Sequence, residues 1–255
     1  MNPTRKRRAM TPESARRVRA EGHKAEKEFA GLIGGEIYSI AGGRKKDVTD
    51  KRGDIHSVKS GEKKWQIFLY SKQRLQRDID FQGADLFIKC IDSFPESREE
   101  YLSDKNRYKN VLKTPMRELK DFLSIGDNKI IFLKKAVLNN GEVDYLTIKE
   151  KDMFHVFDGE EVIRIIDTST RLVNSKAKRR GQMDDQKVVF KLADNHVTIG
   201  EIEMRNDSDV HYREVKFWLD RKKALDLLKN KIRSEQVKSE RVIAHGKAIR
   251  KFRVA

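Results

Sequence analysis

The 255-residue sequence holds a single cysteine, Cys90. That excludes an internal disulfide framework and any cysteine-based zinc site, and it points to a reducing cytosol. Long apolar runs are also missing, so no segment is fit to span a bilayer, and no amphipathic stretch with an aromatic face offers a membrane anchor. Internal repeats and low-complexity tracts are absent, which excludes solenoid and linker-dominated architectures.

What is abundant is charge. Lys and Arg number 56 against 40 Asp and Glu, for a formal charge of +16. An excess of that size argues for a polyanionic partner, nucleic acid first and an acidic membrane surface a distant second. Arg5, Lys6, Arg7 and Arg8 have no apolar stretch after them and read as a cationic arm, not a secretory signal. Hydrophobic residues make up 37% and charged residues 38%, enough for a core beneath a densely ionic surface. The length suits one large domain, or a small catalytic domain with a packed extension. The expected division places the arm and a catalytic core in residues 1–125 and a sheet-rich region with a basic C-terminal helix in 126–255.

Thr11 before Pro12 and Glu13 marks a helix start. Ala25, Phe29, Leu32 and Ile33 then recur at helical spacing until Gly34 and Gly35, with a break or bend expected at Gly22. Four short segments follow: Glu36 to Ala41, Lys46 to Thr49, Asp54 to Ser60 and Lys64 to Tyr70. The turn signals Gly42-Gly43, Lys51-Arg52-Gly53 and Ser60-Gly61-Glu62 between them predict an antiparallel meander. Ser97 to Ser124 reads as a helix kinked or divided at Pro115. Lys129 to Leu138 and Val143 to Ile148 flank Asn139-Asn140-Gly141, a hairpin signal. Further strands are expected at Val162 to Ile166, Lys187 to Leu192, Thr198 to Met204 and Val215 to Leu219, then a helix from Arg221, basic through Arg253.

One region brings together groups suited to phosphodiester cleavage, which needs phosphate charge neutralised and hydroxide generated near neutral pH, both within reach of a carboxylate-held Mg²⁺. Residues two apart on a strand share a face, so Ser57 and Lys59 point together. A turn at Lys51-Arg52-Gly53 folds the strand carrying Asp47 against them, with Glu26 on the preceding helix.

This segment resembles the PD-(D/E)XK nuclease superfamily, which includes many type II restriction endonucleases and archaeal Holliday-junction resolvases. The likeness covers about the first third of the chain. It rests on Gly22-His23-Lys24-Ala25-Glu26 as the acid-bearing helix, on Lys46-Asp47 at the first motif aspartate and on Ser57-Val58-Lys59 at the (D/E)-X-K tripeptide, in the order helix, then three or four strands. The resemblance implies an α/β (α+β) fold with a central mixed sheet flanked by helices and a sheet-rich recognition extension. It also implies Mg²⁺ held by Asp47, the Val58 carbonyl and Glu26, with Asp47, Ser57, Lys59 and Glu26 as the catalytic group. Ser57 departs from the pattern, because the family has an acid there; a serine ligates weakly or through water. A second register, Asp54 with Glu62 and Lys64, restores the acid but sets the tripeptide beside the turn at Gly61.

The implied substrate is double-stranded DNA, cut by a homodimer, since a symmetric site calls for two centres. Two polar clusters are candidates to read it. One is the loop of Arg171, Asn174, Lys176, Lys178, Arg179 and Arg180, in a stretch from Ser175 to Gln186 expected to be mobile. The other is the turn with Arg205, Asn206, Ser208, His211, Tyr212 and Arg213. The N-terminal arm and C-terminal helix are expected to hold phosphates. His23, His56, His155, His196, His211 and His245 show no zinc-ligand spacing and read as structural or surface groups, and Trp65, Phe68 and Tyr70 as core. A repair or junction-resolving nuclease, an RNA-directed protein and a noncatalytic basic DNA-binding protein remain open.

Overall fold

A computed structural model describes residues 11–38, 46–61, 63–177, 183–237 and 239–252. Helix α1 (Pro12–Ile33) begins where the Thr11 side chain accepts from the Ser14 amide and ends at Gly34, whose φ of 65° supplies the left-handed cap. It runs unbroken through Gly22, against the expected break, because a lone glycine costs a helix interior only about 1 kcal/mol.

Three short strands form an antiparallel meander: β1 (Glu36–Ile37), β2 (Val48–Thr49) and β3 (Ile55–Lys59). Residues 39–45, with the expected Gly42-Gly43 turn, lie outside the described residues. The fourth expected member, β4 (Lys64–Tyr70), leaves the meander and pairs with a strand about 150 residues further on. Its Trp65, Ile67, Phe68 and Tyr70 are buried in the larger core, so burial sets its place and sequence proximity does not.

A helical stretch follows: α2 (Lys72–Arg77), α3 (Ala84–Asp92), α4 (Arg98–Ser103), α5 (Lys105–Val111), α6 (Lys113–Leu123) and α7 (Asn128–Leu133). Ser97 to Ser124 thus forms three helices, and Pro115 sits in the first turn of α6, where its missing N–H has no intrahelical role. A π-helical turn, Lys134–Leu138, continues α7, so the expected hairpin strand is helix. Asn139, Asn140 and Gly141, all at positive φ, end that helix with the backbone chemistry that makes them a hairpin signal.

The chain continues with β5 (Tyr145–Glu150), β6 (Met153–Asp158), α8 (Gly159–Ser169), β7 (Thr170–Asn174), β8 (Lys187–Leu192), β9 (Thr198–Arg205), β10 (Glu214–Asp220) and α9 (Arg221–Lys231), then β11 (Ser234–Gln236), β12 (Val242–His245) and α10 (Ala248–Phe252). The run Val162 to Ile166, expected as a strand, lies in α8, whose start is fixed by the Asp158 carboxylate accepting from Glu161 N at 2.9 Å. The expected C-terminal helix is α9 followed by two strands and α10.

The fold is mixed α/β, with a seven-stranded mixed sheet in the order β1-β2-β3-β5-β6-β12-β11 and a five-stranded antiparallel sheet in the order β4-β10-β9-β8-β7. Both sheets draw strands from each side of residue 125. Ala25, Phe29, Ala30 and Ile33 of α1 pack with Ala248 and Phe252 of α10 on Val48, Val58, Phe154 and Val156, one face of the seven-stranded sheet. Leu146, Ile148 and Phe157 enter the larger core, shared with the helices and with Val188, Phe190, Ile202 and Phe217 of the second sheet.

Between β6 and β12 the core holds a buried histidine pair, His155 Nδ1 at 3.0 Å from His245 Nε2. Burial, then the facing His155, pushes His245 down to about 4. Burial, then Lys229, lowers His155, against the opposing pull of Glu150 at 3.4 Å. Depressed values mean that the unfolded chain binds these protons more readily, so the stability they confer is present above the ordinary histidine value and lost as pH falls through about 6.5 toward about 4. Urea unfolding between pH 7 and pH 5 is expected to lose about 2 kcal/mol to this pair, and His245→Phe is expected to flatten that decline. An unchanged slope in the variant would remove the pair from the explanation.

Candidate active site

The β2–β3 hairpin is built by its turn. Asp50 Oδ1 accepts from the amides of Arg52 at 2.8 Å and Asp54 at 3.0 Å, and Gly53 takes φ 84°, which a side chain would strain. Val48 then stands opposite His56 and Thr49 opposite Ile55, and the bond from Asp47 N to His56 O at 3.0 Å carries the ladder one step further. There β2 stops, and the Asp47 side chain takes over from its backbone: Asp47 Oδ2 accepts from Val58 N at 2.7 Å.

That oxygen also accepts from Ser57 Oγ at 3.3 Å and Lys59 Nζ at 3.4 Å. The Lys59 ammonium donates in addition to Ser57 Oγ at 2.6 Å and to the Val58 carbonyl at 3.3 Å. Its three hydrogens thus face a carboxylate, a hydroxyl and a carbonyl, a cluster of hard oxygen donors with one negative charge. The Lys59 and Asp47 side chains are 21% and 16% exposed, while Ser57 is 1% exposed. Access therefore runs to the carboxylate and ammonium, not to the hydroxyl, and Ser57 is poorly placed as a nucleophile.

Asp47, Ser57, Lys59 and the Val58 carbonyl come together as expected; Glu26 does not join them. Its carboxylate bonds His23 Nδ1 at 3.0 Å within α1, and α1 packs on the sheet face carrying the side chains of Val48 and Val58, from which Asp47, Ser57 and Lys59 alternate away. Among the described residues no group of three or more His, Cys, Asp and Glu is placed to hold a metal ion. The second register is dispersed: Asp54 pairs with Lys251 at 2.8 Å, the Lys64 ammonium lies over the Trp218 ring in the other sheet at 3.2 Å, and Glu62 is outside the described residues. His56 is fully buried among Phe29, Tyr145 and Phe252 with Nδ1 at 3.0 Å from Thr147 Oγ1, a core residue.

Neither a family model, nor a curated protein, nor a solved structure matches this chain.

The expected recognition residues divide. Arg171 is exposed beside His196 at 3.0 Å and Lys176 is exposed, whereas Asn174 donates to the carbonyls of Met116 and Lys187 and serves packing. Lys178, Arg179 and Arg180, like Arg5 to Arg8, lie outside the described residues. The second cluster is pinned to the molecule. Arg205 holds Asp207 at 3.1 Å, Asn206 Oδ1 accepts from Arg213 N, and Ser208 Oγ is buried. His211 holds Glu214 at 2.7 Å, Tyr212 OH donates to Pro95 O at 2.8 Å, and Arg213 pairs with Asp92 and Glu96. Apart from Ser208, whose hydroxyl has no partner among the described residues, these side chains fasten the β9–β10 turn. In the C-terminal segment, Lys251 is likewise committed to Asp54.

The anchoring of Val58 N by Asp47 has no signal in the sequence, because where β2 stops is not written in a local pattern. Asp47→Ala leaves that amide and Ser57 without their acceptor, and is expected to cost about 1–3 kcal/mol in urea unfolding. Asp47→Asn keeps a carbonyl oxygen there and is expected to cost less. Equal losses would show that the carboxylate does not organise the hairpin.

Proposed function

We propose that this protein is a Mg²⁺-dependent endonuclease acting on double-stranded DNA, of the type II restriction kind, with a restriction-endonuclease-like core and a homodimeric active form. The observation that carries the reading is the meeting of Asp47 Oδ2, just before β2, with Lys59 Nζ of β3, 3.4 Å apart beside the Val58 carbonyl. Supporting it are the order of a helix followed by a three-stranded meander and the +16 charge, which suits a polyanionic substrate.

The accessible donors, one carboxylate and one carbonyl, suit a hard cation by type. Asp47 and Val58 O would hold the ion, with the buried Ser57 Oγ hydrogen-bonded behind the carboxylate. When bound, Mg²⁺ supplies charge neutralisation at the phosphate and acidifies a coordinated water. Lys59 would be the site's cation for the substrate: its ammonium, 21% exposed, would hydrogen-bond the attacking water or a phosphate oxygen and steady the charge that develops there. Asp47 fixes both partners by gripping Val58 N.

A second reading has its own observation. Ser57 stands where the resembled family has an acid, and Lys59 already neutralises the one carboxylate, an arrangement equally suited to a noncatalytic DNA-binding protein.

Plasmid incubated with Mg²⁺ separates the readings: discrete fragments that disappear with EDTA support the nuclease, and retarded but intact plasmid supports the binder. Asp47→Asn and Lys59→Met are each expected to lower cleavage by at least about 100-fold, on the scale of a lost acid–base or charge-stabilising group, while leaving DNA retention intact. Full activity in either purified variant rejects the assignment. Four-way junction DNA beside linear duplex separates restriction-type from junction-resolving activity.

Removing the ammonium from the three-oxygen cluster also removes a charge that opposes a divalent ion. Calorimetric titration of Lys59→Met with Mn²⁺ is therefore expected to show at least about tenfold tighter binding than the parent. Weaker binding would contradict the shared seat.

A further inference from the structure

Among the described residues, little covers the N-terminal half of α1. Residues 16–21 are all exposed. Val18 lies on the same helical face as Ala25 and Phe29, yet is 46% exposed where they are 2% and 0%. Nothing among the described residues covers that face there, so these first turns overhang the described sheet. Further along, α1 is fastened by its apolar face and by Glu28, which pairs with Lys149 at 2.5 Å and with Arg241.

At about 100° per residue, Arg16, Arg17, Lys24 and Lys27 project within an arc of about 100° directly opposite Ala25, Phe29 and Ile33. The stripe is about 16 Å long at 1.5 Å per residue. All four are exposed. Arg17 touches Glu21 at 3.9 Å, and Arg16, Lys24 and Lys27 have no ion-pair partner among the described residues. Elsewhere cations are more often matched, as in the Lys187, Glu201, Glu203 and Lys216 ladder. The first 24 residues hold eight Lys or Arg against two acids, and so carry six of the sixteen net charges.

We infer that this overhanging stripe is a docking surface for the phosphate backbone of duplex DNA, separate from the Asp47–Lys59 cluster. The polymer is named on the strength of the proposed function; the surface stands on geometry and charge. Unneutralised cations on a rigid rod present point charges to a polyanion without reading its bases. A membrane surface fits less well, because Val18 is the one large apolar side chain between residues 13 and 24, and an interfacial helix needs an apolar face to bury. Since α1 covers the sheet face opposite to Asp47 and Lys59, the stripe holds duplex away from the phosphate to be cut.

The test is fluorescence anisotropy with a 30-base-pair duplex in EDTA across a salt series, using the full chain and the triple variant Arg16→Gln, Lys24→Gln, Lys27→Gln, with helix content checked by circular dichroism. The triple variant is expected to bind at least about tenfold more weakly at 100 mM salt, and its slope of log affinity on log salt is expected to be shallower by about 2–3, near 0.9 for each phosphate that is no longer neutralised. Glu13→Gln with Glu21→Gln is expected to tighten binding, the opposite of what loss of the helix would give. Unchanged affinity and slope in both variants overturn the surface. Weakened binding to anionic phosphatidylserine vesicles but not to duplex also overturns it, in favour of a membrane. Cleavage of plasmid in Mg²⁺ is read in parallel: a shallower slope in a protein that never cuts keeps the surface and rejects the nuclease, and an unchanged slope in a protein that cuts does the reverse.

Discussion

One carboxylate oxygen organises the candidate site. Asp47 Oδ2 sits where a backbone acceptor would continue the β2–β3 ladder, and it gathers an amide, a hydroxyl and an ammonium within 3.4 Å. Because these groups belong to three consecutive residues of β3, the hairpin register and the chemistry are the same constraint. A slip of one residue would send Ser57 and Lys59 to the opposite face, into the helix layer, and bring Val58 out. The turn at Asp50 to Asp54 resists such a slip with two side chain to backbone bonds and a glycine at positive φ.

The rest of the fold keeps that hairpin firm and accessible. β3 is backed by β5 in parallel, and Ser57 faces Leu146 while Lys59 faces Ile148. α1 and α10 press on the reverse face through Val48 and Val58. Only toward the sheet's end, where β2 is two residues long, do Asp47 and Lys59 retain solvent access. The second sheet buttresses the core from which β5 rises, and the turn between β9 and β10 is locked to residues 92–98 by Arg213, Tyr212 and Arg98. Polar side chains that look outward in sequence are, in that turn, internal fasteners.

What was legible in the sequence was local. The α1 cap at Thr11 and stop at Gly34, the turn at Lys51-Arg52-Gly53, the side-chain parity of Ser57 and Lys59, and strands β8 to β10 follow from period, caps and turn residues. What was not legible depended on distant partners or on ambiguous runs. β4 has the pattern of a fourth meander strand and joins another sheet, because its partner β10 is remote in sequence. Residues 129–138 and 162–166 are short apolar runs, which period alone does not divide between strand and buried helix; Asp158 as an N-cap was the missed signal for α8. Glu26 was placed by motif likeness, yet the layer that α1 covers carries it to another face from Asp47. The cationic face of α1 was present in the spacing of Arg16, Lys24 and Lys27, but only the exposure of Val18 shows that the helix overhangs.

In the proposed function a divalent ion and the Lys59 ammonium share one oxygen cluster on the β2–β3 hairpin. The most direct measurement is anomalous diffraction from crystals of the protein soaked in Mn²⁺. A metal peak is expected about 2.1 Å from Asp47 Oδ and the Val58 carbonyl, with Lys59 Nζ displaced from Asp47. A well-ordered cluster with Lys59 still in place and no peak beside Asp47, at a Mn²⁺ concentration that supports DNA cleavage, would contradict it.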